Sequence, residues 1–150
     1  MEFVDDVASI LDDKGHRVWT IRADATVFDA IRMMADKNVA ALLVLDDEAE
    51  LVGIISERDY TRKVILRDRS SRETAVRDIM STALVTIDPS CTVERALRLM
   101  TERRVRHLPV LFHGEIAGVV SMGDLVERLM REQRAALTEL EGYVIGRYPG

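Results

Sequence analysis

The sequence predicts an α/β (α+β) protein made of two tandem copies of one β-α-β-β-α unit, packed with pseudo-twofold symmetry. A repeat and a periodicity predict it. Thr26 to Met34 is matched 66 residues later by Thr92 to Met100, and Thr20-Ile21 by Thr86-Ile87. After a one-residue deletion near Gly114, Gly53-Ile54-Ile55-Ser56-Glu57-Arg58-Asp59 falls on Gly118-Val119-Val120-Ser121-Met122-Gly123-Asp124. Within each copy, helical spacing of apolar residues alternates with short β-branched runs.

Each element has its own signal. Val18 to Ile21 is a short apolar strand. Thr26-x-x-Asp29 opens a helix in the manner of a capping box, and Val27, Ala30, Ile31, Met34 and Ala35 follow at helical spacing. Val39 to Leu45 is a continuous aliphatic run, the pattern of a strand covered on both faces. Asp46 to Glu50 is a turn, Leu51 to Ile55 a strand, and Ser56 opens a helix to about Leu66. Arg67 to Arg77 has no apolar period and reads as a linker. The second copy repeats the plan, with a strand at Leu84 to Ile87 and a helix behind Thr92 (Val93, Ala96, Leu97, Met100). Strands follow at Leu108 to Phe112 and Ile116 to Val120, around a turn at His113-Gly114. Ser121 opens a long helix whose apolar stripe is Leu125, Val126, Leu129, Met130, Gln133, Leu137 and Leu140, and Gly142 is expected to end it. The expected division is a first repeat with its N-terminal segment (1–70), a second repeat (71–134), and a helix end with an aromatic tail (135–150). That tail is expected to pack on something.

Composition narrows the class. With 150 residues, 47% hydrophobic and 31% charged, the chain can form an ordinary globular core. No run is long enough to span a bilayer. The acidic start, Met1 to Asp13, is unlike a signal or transit peptide, and Cys91 is the only cysteine, so a cytoplasmic location is expected. A net charge of −5 argues against nucleic acid as the main partner, although arginines crowd residues 58–77 and 95–106. His16, His107 and His113 lack ligand spacing, so no metal is expected. No nucleophile elbow, Walker loop or dinucleotide glycine motif is present, so no catalytic residues are assigned and the chain is not expected to be an enzyme.

The repeated Gly-x-x-Ser-x-x-Asp admits two readings. Ser-x-x-Asp at a helix start is a capping arrangement, and glycine in a strand can mark close packing. A strand-to-helix junction also presents free N–H groups and a positive helix end, which suit a phosphate, while a carboxylate there can accept from ribose hydroxyls. Arg106 and His107 at the start of Arg106-His107-Leu108-Pro109-Val110 would favour a bound phosphate.

On the duplicated Gly-x-x-Ser-x-x-Asp, the Arg-His-Leu-Pro-Val strand and Asp78-Ile79-Met80-Ser81, residues 7 to 135 resemble a tandem pair of CBS motifs, a Bateman module. The resemblance implies a regulatory or sensor module that binds AMP, ADP, ATP, NAD or S-adenosylmethionine in two clefts and signals by conformational change. It implies ribose contacts at Asp59 and Asp124, contacts near ribose or phosphate at Ser56 and Ser121, and phosphate near Arg58. One cleft would draw on Met80, Ser81, Val85, Val105, Arg106 and His107, with Pro109 in the same strand, and the other on Lys14, Trp19, Val39, Ala40 and Ala41. Trp19 could stack on a base or serve the core. The resemblance also implies a flat homodimer and a downstream protein partner. The alternatives are a nucleic-acid binder using the arginine-rich linker, or a structural dimerisation module with empty clefts.

Overall fold

The computed structural model describes residues 5–144. Two compact units are present, and each mixes helix and strand. One runs from Arg17 to Val85; the other joins the described residues up to His16 to those from Thr86 on. The repeat boundary at 70/71 is therefore not the packing boundary. The N-terminal segment is packed with the second repeat, and residues 71–85 with the first.

The first-repeat unit contains β1 (Thr20–Arg22), α2 (Val27–Lys37), β2 (Ala41–Leu45), β3 (Leu51–Ser56), α3 (Glu57–Lys63) and α4 (Val76–Ile79); α1 (Val7–Lys14) belongs to the other unit. β1 pairs parallel to β2, and β2 antiparallel to β3. Thr26 caps α2, its Oγ1 accepting from the Asp29 N–H at 3.1 Å. Asn38 leaves the helix in the left-handed region at φ 55°. α3 is shorter than its sequence pattern suggests. It stops at Lys63, and Ile65–Arg67 forms a separate 3-10 turn. Ile21, Val27, Ala30, Met34, Leu42, Val44, Ile55, Val64, Val76 and Ile79 form the core.

The second-repeat unit contains α1 (Val7–Lys14), α5 (Val93–Arg103), β4 (His107–Phe112), β5 (Glu115–Ser121) and α6 (Met122–Val144). β4 and β5 form an antiparallel pair whose tight turn holds His113 at φ 51° and Gly114 at φ 79°. Two successive positive φ values are what a two-residue hairpin requires. The expected strand at 84–87 is reduced to one parallel bridge, Ile87 to Val110. In the first repeat the Leu43 N–H donates to the Trp19 carbonyl at 3.2 Å. Leu43 is replaced by Pro109, which has no N–H, so that rung has no donor. Only the bonds on either side of Ile87 remain, Ile87 N–H to Pro109 O at 3.1 Å and Leu111 N–H to Ile87 O at 2.8 Å. α6 continues past Gly142, against the expected end there, to Val144. The tail 145–150 lies outside the described residues.

Each repeat is closed by a helix from outside it. Val7, Ile10 and Leu11 of α1 and Val76 and Ile79 of α4 are all buried. The backbone bonds match as well. Val93 N–H donates to Asp5 O at 3.0 Å in one unit, and Val27 N–H to Thr74 O at 2.8 Å in the other. Val7-x-x-Ile10-Leu11 and Val76-x-x-Ile79-Met80 are thus one repeated element, and the linker is helical where it serves the first repeat. The repeated glycines receive it. A Cβ on Gly118 would lie 2.6 Å from Leu11 Cδ2, and one on Gly53 2.6 Å from Met80 Sδ.

α1 is also held by charge. The Arg128 guanidinium on α6, only 8% exposed, bonds Asp5 at 2.6 Å and also Asp13.

These contacts generate a prediction. Gly118→Ala should cost about 1–3 kcal/mol through overpacking. Leu11→Ala should be far less damaging in the Gly118→Ala background than alone, because it removes the clashing methyls. Urea denaturation of the four chains tests this; additive losses would place α1 elsewhere.

Candidate functional site

The two strand-to-helix junctions have the same construction. At the first, Asp59 N–H donates to Ser56 Oγ at 3.2 Å, and Ser56 N–H donates to Asp59 Oδ2 at 2.9 Å. At the second, Asp124 N–H donates to Ser121 Oγ at 3.1 Å, and Ser121 N–H to Asp124 Oδ2 at 2.9 Å. Both are reciprocal capping boxes. Serine leaves the strand in extended geometry and turns its oxygen back on the third helical N–H. The capping reading is therefore correct, and it occupies mainly one oxygen of each carboxylate. The first helical N–H donates to the residue just ahead of the neighbouring strand, Glu57 to Ala40 O at 3.0 Å before β2 and Met122 to Arg106 O at 2.8 Å before β4.

The cations beside the carboxylates differ. Lys63 lies 3.1 Å from Asp59 Oδ1 and donates to Ile79 O at 2.8 Å. Lys14 donates to Asp124 Oδ2 at 2.7 Å and to Val119 O at 3.0 Å. Lys63 was not among the residues singled out from sequence; its signal is the Asp-x-x-x-Lys spacing on one helix face. Burial pushes the Asp124 carboxyl up, but the Lys14 hydrogen bond and the Ser121 N–H outweigh it, and the group sits below its ordinary value. An open cavity of about 210 Å³ adjoins this pair, with Ile10, Asp13, Glu127, Arg128 and Arg131 in its walls. A larger groove of about 420 Å³ runs along α5 past Arg95 and Arg98, and includes none of the repeated motif.

The remaining candidates divide between the units. Trp19, Val39, Ala40, Ala41, Ser56, Arg58, Asp59, Met80, Ser81 and Val85 belong to the first-repeat unit. Lys14, Val105, Arg106, His107, Pro109, Ser121 and Asp124 belong to the second. Ala41 stands opposite Ser56 across the sheet, and His107 opposite Ser121. Ser81 pairs with Ile54 beside Gly53. Arg58 and Arg106 are exposed; Pro109 is buried, its carbonyl engaged by Ile87. The His107 imidazole is held below its ordinary pKa, first by burial, with Lys14 and Arg106 adding to the effect and Asp124 opposing it. That shift favours the neutral imidazole near neutral pH, which can offer a ligand a hydrogen bond but no charge. The Trp19 ring carries Lys37 at 4.4 Å and Arg17 at 5.5 Å from its centre, and a base stacking on it would have to displace such a cation. Burial pushes the Cys91 thiol up, away from thiolate reactivity. Among the described residues no cluster of His, Cys, Asp and Glu could hold a metal, and no helix is long and apolar enough to cross a membrane.

The duplicated junctions agree with comparison to known proteins, in which the CBS domain matches residues 7–65 and 76–131. The chain belongs to the CBS domain family. Both matches begin at the closing helices, Val7 and Val76. The CBS domain-containing protein CBSX3, mitochondrial, of Arabidopsis thaliana is 44% identical over 129 residues, which cover 83% of this chain and 63% of that protein. The chain thus spans less than two thirds of that relative. A CBS-domain structure from Burkholderia ambifaria, provisionally assigned to signal transduction, is 44% identical with a TM-score of 0.81, covering 85% of this chain and 96% of that one. A hexameric CBS-CP12 protein from bloom-forming cyanobacteria is 30% identical with a TM-score of 0.75, covering 83% of this chain and 68% of the other.

The Lys14–Asp124 pair predicts a pH dependence. A depressed carboxylate contributes stability that is complete above its unfolded pKa of about 3.9 and is lost as pH falls through the lower folded value. Lys14→Met should lower the melting temperature at pH 7. The gap to the parent chain should narrow as the pH is taken down through the lowered folded value, where the carboxylate becomes protonated in both. Thermal melts at stepped pH measure it, and a gap independent of pH would dismiss the pairing.

Proposed function

We infer that this chain is a regulatory CBS module that binds an adenine nucleotide (AMP, ADP, ATP or NAD) at its Ser-x-x-Asp junctions and signals by conformational change. S-adenosylmethionine is the remaining candidate of the same chemical class. The observation that carries the reading is the duplicated junction. It offers a carboxylate, a serine, the start of a helix and a nearby cation, twice and in matched positions. A carboxylate oriented by its cap is suited to accept from two vicinal ribose hydroxyls, and cations and the positive end of a helix are suited to phosphate. No catalytic role is assigned.

The two junctions are not equivalent under this reading. Arg58 stands beside Asp59 where Gly123 stands beside Asp124. The Asp59 junction is the better phosphate site, and the Asp124 junction must release Lys14 to accept a ribose. A homodimer is the assembly we expect, and the hexameric relative supports self-association within the family.

Calorimetric titration with each nucleotide tests the proposal. Asp59→Asn and Asp124→Asn are the informative variants, because asparagine keeps an acceptor for the cap and removes the charge. Asp59→Asn should weaken binding by about 1.5–3 kcal/mol, the scale of a hydrogen bond to a charged group. Asp124→Asn should abolish a second, weaker event and leave the first. If both variants bind as the parent does, the carboxylates are caps and nothing more. Binding to nucleic acid that falls steeply with salt would favour the alternative use of the arginine-rich linker.

A further inference from the structure

Glu132 on α6 holds a buried acceptor that nothing satisfies. Its Oε1 is closed off from solvent and accepts no hydrogen bond from any described residue. A carboxylate in that state carries a desolvation cost that one donor would remove. Its neighbour is another acid, for the Asp5 and Glu132 carboxyl groups lie within hydrogen-bonding reach of each other. Two carboxylates offer acceptors and no donor, so they can only repel. A carboxylic acid beside a carboxylate donates one charge-assisted bond instead.

The surroundings do not neutralise a second charge there. Asp5, Ser9 and Asp13 recur every fourth residue along α1 and the segment before it, and all three meet Arg128. Glu132 stands one turn beyond Arg128 on the same side of α6 and is half-buried. Among the described residues Arg128 is the only cation acting on Glu132, and its guanidinium is already divided among Asp5, Ser9 and Asp13. Arg131 is exposed and shared between Asp13 and Glu127. α5 also packs on α6, but none of its described titratable groups acts on Glu132. Burial, and after it Asp5, hold the Glu132 carboxyl above its ordinary value against the pull of Arg128. Burial would raise Asp5 as well, but the bonds to Arg128, Ser9 and Glu132 outweigh it and hold Asp5 low.

We propose that Asp5 and Glu132 share a single proton, and that this proton latches the start of α1 onto α6 and so closes the second repeat. With the proton in place the two acids are joined. When it passes to solvent the same atoms repel, and the start of α1 loosens. Glu132, raised above its unfolded pKa of about 4.3, contributes stability that is complete below that pH and is lost as pH rises through the higher folded value. Asp5 acts in the opposite sense. Its contribution is complete above about 3.9 and is lost in stronger acid, as pH falls through its lowered folded value. The latch is closed between these limits and opens toward alkaline pH. It operates without nucleotide.

Hydrogen exchange of the full chain, free of nucleotide, tests it. The parent is compared with Glu132→Gln, whose amide can donate to Asp5 at every pH. Protection of residues 7–14 in Glu132→Gln relative to the parent should be near unity at about pH 4.5 and rise to about threefold or more by about pH 8. The ratio cancels the pH dependence of exchange itself and of groups present in both chains. A ratio independent of pH, or a parent better protected than the variant at high pH, would overturn the proposal. In an Asp5→Asn background the second acid is gone, so the pH dependence of the ratio should vanish; its persistence would show that Asp5 is not the partner. The side-chain carboxyl carbon of Glu132 in the parent reads the proton directly, whether or not the variants fold. Its titration midpoint should lie above that of a glutamate in an unstructured peptide, and a midpoint at or below that value would also sink the latch.

Discussion

The structure depends on the close approach of a helix to a strand glycine, made once in each repeat. Gly53 meets Met80 and Gly118 meets Leu11, each at a distance that a Cβ would destroy. A two- or three-stranded sheet of this size cannot cover its own apolar face. The closing helices supply that cover, and each comes from sequence lying before or after the repeat it completes. This explains why the second repeat needs the first residues of the chain. It also explains why a linker with no apolar period ends in buried Val76 and Ile79.

That packing places the Ser-x-x-Asp junctions. Gly53 and Gly118 lie three residues before Ser56 and Ser121, so the closing helix presses on the same strand whose end turns into the capped helix. Capping and binding do not exclude each other there. The cap uses the serine oxygen and mainly one carboxylate oxygen. A ribose could then use the remaining lone pairs. What must be exchanged is the lysine. At Asp59 it comes from the same helix, four residues on, and swings on its own side chain. At Asp124 it comes from α1, so exchange there concerns a separate element.

Much of this was legible in the chain. The offset of 66 residues, 65 after Gly114, carries the strands, the capped helices, the left-handed exits at Asn38 and Arg104 and the matched β-bulges after Val44 and Val110. The closing helices were not read, because their repeat has a different offset and shares only Val-x-x-Ile followed by Leu or Met. The strand at 84–87 was misread because apolar residues predict a strand while the loss of one donor, at Pro109, decides whether it pairs. Gly142 failed as a stop because a glycine ends a helix only where the chain also turns. Arg128 had no sequence signal at all. It occupies an apolar stripe, and only the carboxylates of α1 and the segment before it make its burial tolerable.

Both ends of α1 are held by charge to the first turns of α6. Near its start Asp5 engages Arg128, and near its end Asp13 engages Arg128 while Lys14 engages Asp124. Arg128 lies on α6, one turn beyond the capped start that contains Asp124. A ligand that took Asp124 from Lys14 would remove one of α1's charged anchors and leave the Arg128 cluster to hold it alone. Differential contact of that kind is the condition for a ligand to shift a conformational equilibrium. The second junction and the closing helix are therefore joined through one pair of helices, α1 and α6, so a change at the junction bears directly on the helix that closes the repeat.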